Sequence, residues 1–379
     1  MVDEYICFVQ RFDREINLQK TKKNMKRIAQ FITCFILLSC NDDDPIPVED
    51  VPIWQKHDRF LFDQKIKYNS HVDEDKLYLL GTRFFSDIQF EDTTEIVEHS
   101  LVWMKYDQNY KMPISSDLLV TANARTVHFV ASKDPVGGIG VWLHMEQLDP
   151  GFEHFDFPGF WWTEAMAINS RNECLVPYAT KDSRNLLLVR LNDWGDNSVF
   201  MDTLETRRYS YPPDALGNIV GSDRLYTFDD VFYMSTLGGT FRIDETYAME
   251  KVLEESFTRM FEVGDRLYGL TFRGSESRLY ESIDGVRWNY LGILDNSFRQ
   301  LNYCIVNGKT IAFYYSQVFE IERTADGFDI KELSNEGLFG HRITSITPFK
   351  GKVYVTTLSG VFYKDQEDFW IEKEEDSEG

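Results

Sequence analysis

The chain has 379 residues, of which 43% are hydrophobic and 27% charged, so a packed core is attainable and wholesale disorder is excluded. Its formal charge is −22, and the first 39 residues hold seven Lys/Arg against four Asp/Glu, which leaves about −25 from Cys40 onward. A body of that sign repels phosphate backbones, so no nucleic-acid partner is expected.

In chain order, the first patterned element is a basic patch of Lys22, Lys23, Lys26 and Arg27. The apolar run Phe31-Ile32-Thr33-Cys34-Phe35-Ile36-Leu37-Leu38 follows, then Ser39-Cys40. A basic region, a short apolar stretch and a small residue before a boundary make an export signal. The run is too short for a permanent membrane helix. Leu37-Leu38-Ser39-Cys40 resembles the lipobox of bacterial lipoproteins. That resemblance implies cleavage before Cys40, lipidation of its thiol and a membrane held through the lipid; a plain secretory signal or membrane anchor is the alternative. Residues 1–24 precede the signal, and Met25 fits better as its start. The acidic Asn41-Asp42-Asp43-Asp44 resembles the surface-export signal of Bacteroidota lipoproteins, which implies the outer membrane and display at the cell surface. Charge runs are otherwise solvated tethers. Pro45, Pro47 and Pro52 complete a linker over 40–52.

Residues 53–373 read as one all-β body, with 374–379 an acidic tail. Aromatic residues make up 15% of the chain, and they favour pleated, half-buried surfaces. The body repeats. Val231–Asp244 and Lys352–Asp365 share Tyr, Thr, Leu, Gly, Phe and Asp at an offset of 121. Between them, Asp265-Arg266-Leu267-Tyr268, Gly308-Lys309-Thr310-Ile311 and Gly351-Lys352-Val353-Tyr354 recur at steps of 43, each a polar turn entering an alternating strand. Looser copies begin at Lys76, Thr126 and Cys174, with third strands expected at 101–104, Gly140–Leu143 and Leu186–Arg190. Units of 40 to 50 residues with four strands each have the period of propeller blades, so a β-propeller with seven four-stranded blades is expected. Residues 245–256 suit a short helix or an outer strand. The last outer strand is expected near Phe369-Trp370-Ile371, with residues 58–67 closing the first blade on the last.

Ser282-Ile283-Asp284-Gly285-Val286-Arg287-Trp288 resembles the Asp-box of sialidase-like propellers, and Thr324-Ala325-Asp326-Gly327 is a weaker copy. Both lack one residue of the commonest spacing. The resemblance covers two of the seven units and implies fold, because the box lies far from the catalytic centre in that family. There is no Arg-Ile-Pro motif, and no arginine is assignable to a triad, so sialidase activity is not expected.

No other chemical signature stands out. His57, His71, His99, His128, His144, His154 and His341 lack the spacing of metal sites, and no phosphate loop, nucleophile elbow or dinucleotide fingerprint occurs, so no catalytic residue, metal or cofactor is assigned. Cys174 and Cys304 lie in apolar runs and read as separate core thiols, a disulfide being the alternative. The aromatic stretch 149–164 offers Phe157, Trp161 and Trp162 as a sugar-stacking platform, against ordinary blade packing. The insertion 84–99 is acidic and reads as an extended hairpin or rim loop. The expected role is a lipid-anchored binding or scaffold module, with a glycan or an outer-membrane protein as partner. A propeller glycoside hydrolase or polysaccharide lyase with an acidic central pocket is the alternative.

Overall fold

The computed structural model describes residues 53–57, 67–73, 76–81, 84–89, 97–100, 118–122, 126–131, 140–152, 166–179, 184–192, 203–211, 224–236, 238–273, 276–324 and 327–373. The chain opens with β1 (Gln55–Lys56). Sheet I is β2 (Lys67–Asp73), β3 (Lys76–Gly81), β4 (Phe84–Gln89) and β5 (Val97–Ser100). Sheet II is β6 (Leu118–Ala122), β7 (Thr126–Ala131) and β8 (Gly140–His144), followed by the single turn α1 (Met145–Leu148). Sheet III is β9 (Ala167–Ile168), β10 (Glu173–Ala179), β11 (Arg184–Asn192) and β12 (Thr203–Tyr211). Sheet IV is β13 (Arg224–Phe228), β14 (Val231–Thr236), β15 (Gly239–Ile243) and β16 (Met249–Leu253). Sheet V is β17 (Phe257–Val263), β18 (Arg266–Arg273), β19 (Glu276–Ser282) and β20 (Asn289–Leu294). Sheet VI is β21 (Asn302–Val306), β22 (Lys309–Tyr314), β23 (Gln317–Thr324) and β24 (Gly327–Leu333). Sheet VII joins β25 (Ile343–Phe349), β26 (Lys352–Thr357) and β27 (Gly360–Asp365) to β1, and α2 (Gln366–Phe369) follows it.

Every sheet is an antiparallel meander, and the fold is all-β and of propeller type. The first strand of each sheet is an edge, and these edges meet: β9 packs on β13, β21 on β25, and β25 on β2. The turns from first to second strand explain the sequence step of 43. Asn307-Gly308 and Lys350-Gly351 both take positive φ at both central residues, the mirror-image turn whose twist matches its strands. Glycine reaches that region without steric cost, which is why it recurs there.

The core lies between sheets. Val127 and Phe129 of sheet II pack with Cys174, Val176, Leu187 and Val189 of sheet III. Leu175, Leu186 and Leu188 from the other face of sheet III meet Phe232, Met234 and Ile243 of sheet IV. The same alternation carries on through Tyr233 with Phe257, Leu270 with Ala312, Ile311 with Val355, and Val361 with Leu77. A period of two thus gives sheets III to VII one set of side chains for each neighbour.

The turn between β19 and β20 pins two sheets together. Asp284 Oδ1 accepts from Val286 N and Arg287 N, both at 2.9 Å, and Ser282 Oγ accepts from Gly285 N at 2.9 Å. A Cβ at Gly285 would sit 1.8 Å from the Tyr233 hydroxyl, so only glycine fits. Trp288 then lays its ring 4.6 Å from Phe257 and 6.5 Å from Tyr233 of the preceding sheet.

Two expectations need correction, and a third falls largely outside the described residues. Residues 84–89 and 97–100 pair as a hairpin, Phe85 opposite His99, the first of the two readings for 84–99; as the third and fourth strands of sheet I they take the place expected of 101–104. Ladder bonds are made by the backbone, so an acidic composition does not bar a strand from pairing. The stretch 101–104 lies outside the described residues. Residues 366–369 are a helical turn, and the chain after Trp370 makes a single bridge, Glu372 with Leu333 of sheet VI, instead of an outer strand of sheet VII. The open edge of β27 is instead taken by β1, with Gln55 opposite Tyr363 and Lys56 opposite Phe362; of the segment 58–67, residues 58–66 lie outside the described residues. Of the two readings for 245–256, the strand is the one adopted.

Trp54 anchors this closure. Its indole donates to Ser334 O at 3.1 Å, its backbone N–H donates to Glu336 O at 2.8 Å, and its ring meets Phe369 edge-on at 5.9 Å. Beyond α2 the chain straps sheet VI, with Ser334 N–H donating to Ile371 O at 2.8 Å. Trp54→Ala empties this junction and is expected to cost about 3 kcal/mol in denaturant unfolding. Lys364 lies over the same indole, 5.9 Å from its centroid, 2% exposed and without a hydrogen bond at Nζ among the described residues. Burial holds its ammonium below the usual lysine range despite the pull of Asp368 and Glu336. Between that lowered value and the ordinary one the unfolded chain binds more protons, so stability rises with pH there. Lys364→Met is therefore expected to be more stable than the parent at pH 7, and thermal melts should show the gap narrowing as pH approaches 10.

Candidate functional site

The second-to-third strand hairpins and the linkers between sheets share one end of the body. Threonine braces two of these hairpins. Thr357 Oγ1 donates to Gly360 O at 2.9 Å and accepts from Ser359 N at 3.1 Å. Thr236, 121 residues earlier, repeats the pattern with Gly239 O at 3.3 Å and Gly238 N at 3.1 Å. Rigid tips favour presentation of whatever side chain they carry.

What they carry is apolar. Phe272, Tyr315 and Leu358 each lie six residues beyond the first residue of the second strand (Arg266, Lys309 and Lys352), at steps of 43. They are 40%, 55% and 37% exposed; Phe272 lies at the end of β18, and Tyr315 and Leu358 occupy turns, where Gly, Asn, Asp or Ser would be selected. Phe339, in the linker from sheet VI to sheet VII, is 90% exposed. Two of the rings carry guanidinium groups from the following linker. Arg299 stands 4.2 Å from the Phe272 centroid, and Arg342, 43 residues on, stands 5.6 Å from that of Tyr315. A ring with a cation over it keeps an apolar face while presenting N–H donors at its edge. His341 Nδ1 and Ser359 Oγ, 2.5 Å apart, tie the last linker to its hairpin tip. Burial first, and then the charge of Lys56, hold this imidazole below its usual value, which favours the neutral ring.

Buried carboxylates serve elsewhere. Glu173 of β10 is fully buried and accepts from Asn169 Nδ2 at 2.6 Å, Arg171 Nη2 at 2.8 Å and the Tyr247 hydroxyl of sheet IV. Burial alone would raise its pKa, but these donors outweigh it and leave the carboxyl below the usual range. Glu281 of β19 does the same between sheets V and VI, accepting from Tyr268 Oη at 2.8 Å and Arg323 Nε at 2.9 Å. Both pin one sheet to the next, and neither is available for general acid or base work. Among the described residues no group of three or more His, Cys, Asp or Glu is placed to hold a metal ion. Cys174 and Cys304 are separate free thiols, as expected; burial raises both, Cys304 to about 12, so neither is a ready nucleophile.

Cys40, Phe157, Trp161 and Trp162 lie outside the described residues. The tips and their arginines were missed in the sequence. The signal was present: reading on six positions from each repeated polar turn lands on Phe, Tyr or Leu.

No family model matches the sequence, and no curated protein matches it. Solved structures do. A virginiamycin B lyase from Staphylococcus aureus, solved with quinupristin, superposes with a TM-score of 0.53 at 12% identity, covering 82% of this chain and 97% of the lyase. PorZ of the Porphyromonas gingivalis type-IX secretion system gives 0.45 at 10% identity, with 82% of this chain and 38% of PorZ covered. The Pan2 WD40 domain of Neurospora crassa gives 0.48 at 9%, over 83% and 95%. At such identities the likeness is one of fold, and the lyase superposition carries it. Among the described residues no helix is long and apolar enough to cross a membrane.

Glu173→Gln keeps the shape but gives up the charge that Arg171 and Tyr247 address. Because the folded carboxyl is the stronger acid, its stabilisation is present at neutral pH and fades as pH falls through the folded value. Melts of parent and variant should therefore differ at pH 7 and converge toward pH 3.

Proposed function

We propose that this chain is a surface-displayed lipoprotein of the Bacteroidota type, anchored through Cys40, whose seven-bladed propeller is a binding module for glycans. Seven sheets in sequence order, a last sheet completed by β1, and the contact of sheets I and VII support the seven-bladed ring. The Asp284 turn, with Ser282 and Trp288 in their bonding and packing roles, supports the Asp-box reading of that hairpin. The lipobox and the acidic run after Cys40 support the anchor and the outer face.

The observation that carries the binding role is the set of exposed rings and apolar tips on one end. Phe272, Tyr315, Leu358 and Phe339 stand in water at this end, Leu358 on a braced hairpin, and a folded chain gains nothing by exposing them. Aromatic faces stack on sugar rings, and the flanking Arg299 and Arg342 supply donors for hydroxyls. The placement of carboxylates in sheet interfaces favours binding over hydrolysis.

A glycan array probed with the purified chain, run beside a depolymerisation assay, tests this reading. Binding is expected without chain cleavage. Tyr315→Ala and Phe339→Ala should each weaken it by about tenfold or more with an unchanged melting temperature. Binding that survives both substitutions would remove this face from the account. Metabolic labelling with palmitate should mark the parent and not Cys40→Ser.

A further inference from the structure

One pair of cations stands out in a chain with 62 Asp and Glu against 40 Lys and Arg. Half-buried arginines elsewhere in the body have carboxylates: Arg171 with Glu173 at 2.8 Å, Arg242 with Asp244 at 2.6 Å, Arg266 with Glu281 at 2.7 Å, and Arg278 with Glu276 at 3.5 Å. Arg224 and Arg259 have none among the described residues.

These two lie on β13 and β17, the innermost strands of adjacent sheets. Arg224 pairs with Ser235, next to the braced hairpin of sheet IV, so it sits at the loop-bearing end. Arg224 and Tyr226 share one face of β13, two residues apart. The Tyr226 hydroxyl donates to Thr258 O at 3.3 Å, and Arg259 Nη1 donates to the same oxygen at 3.0 Å. Tyr226 therefore shares an acceptor with Arg259 and a strand face with Arg224. Arg259 Nε is held by Leu301 O at 3.2 Å, which fixes the fork in place. Arg224 Nη1 is buried and makes no hydrogen bond. A buried N–H left unpaired costs free energy, and so does a like-charged neighbour.

We propose that Arg224 and Arg259 form a binding site for a carboxylate group at the loop-bearing end of the innermost strands. A planar carboxylate accepts from two guanidinium forks at once and removes both penalties together. Burial, then the charge of Arg224, hold Arg259 below the usual arginine value, as expected for a cation that lacks its anion. A singly charged group also suffers least from the acidic body around it. The ligand class this implies is an acidic saccharide such as a uronate. The inference deepens the glycan reading above and rests on it for the ligand's remainder, though not for the arginine pair itself.

The test uses the intact chain, with thermal melts and calorimetry in D-glucuronate, acetate, D-glucose and inorganic phosphate. Glucuronate and acetate should raise the melting temperature, and glucose should not. Arg224→Gln should melt higher than the parent without ligand, because it relieves repulsion, and should lose the carboxylate response. A merely structural arginine would lower the melt instead. Arg259→Lys should weaken glucuronate binding by about tenfold or more, since a point charge replaces the fork. Tyr315→Ala should leave the acetate response intact, which separates this site from the hairpin tips. No shift with either carboxylate, an equal shift with phosphate, or a destabilised Arg224→Gln would overturn the proposal. A response to acetate with an empty glycan array would instead sink the glycan reading and leave the arginine site standing.

Discussion

The controlling constraint is that sheets III to VII are apolar on both faces. Leu175 and Leu186 on one side of sheet III, and Val176 and Leu187 on the other, could not be covered by a single partner layer. A sheet with two greasy faces needs two neighbours, and each neighbour needs another in turn. The sequence of such sheets ends only when the last meets the first. Here that meeting is made by Leu77 and Leu79 against Phe349 and Val361. The same requirement explains why a segment as short as β1 matters: it fills the edge of β27 and brings Trp54 onto Phe369. An unpaired outer edge would otherwise present ladder groups for intermolecular pairing.

Polar groups buried between sheets follow the same logic. Glu173 and Glu281 lie where aliphatic side chains would pack well, yet each is met by a hydroxyl and a guanidinium, one of them from the adjoining sheet. A buried ion pair contributes little net stability against an apolar substitute, but it penalises every arrangement in which its partner is displaced. Such pins suit a repeated fold, in which near-identical sheets could otherwise exchange neighbours. Trp288 and the Asp284 turn do comparable work at the outer corner of sheet V.

The two ends of the body differ in chemistry. One carries tight polar turns such as Asn307-Gly308, whose residues are chosen by backbone twist. The other carries Phe272, Tyr315, Leu358 and Phe339 in solvent, with arginines laid over two of the rings. At the second end rings stand in solvent beside guanidinium groups, and among the described residues Arg224 and Arg259 of the inner strands there have no carboxylate partner. Function in a scaffold of this kind resides in its loops, and the asymmetry says which loops.

The sequence alone determined the all-β class and the repeat, because a period of two and a step of 43 are local facts that survive in one dimension. Glycine at 308 and 351 and the Ser282–Trp288 stretch were legible for the same reason: turn chemistry depends on neighbours in the chain. Tertiary structure decided the rest. Which segment completes the last sheet depends on which edge is left open, and β1 occupies that edge while residues 366–369 form a helical turn. Whether residues 84–99 paired or looped depended on a partner strand, which acidity does not report. The arginine pair joins residues 35 apart on different sheets, and its meaning lies in the absence of a carboxylate beside it among the described residues. A missing partner is a property of three-dimensional surroundings, so no reading of residue order could have found it.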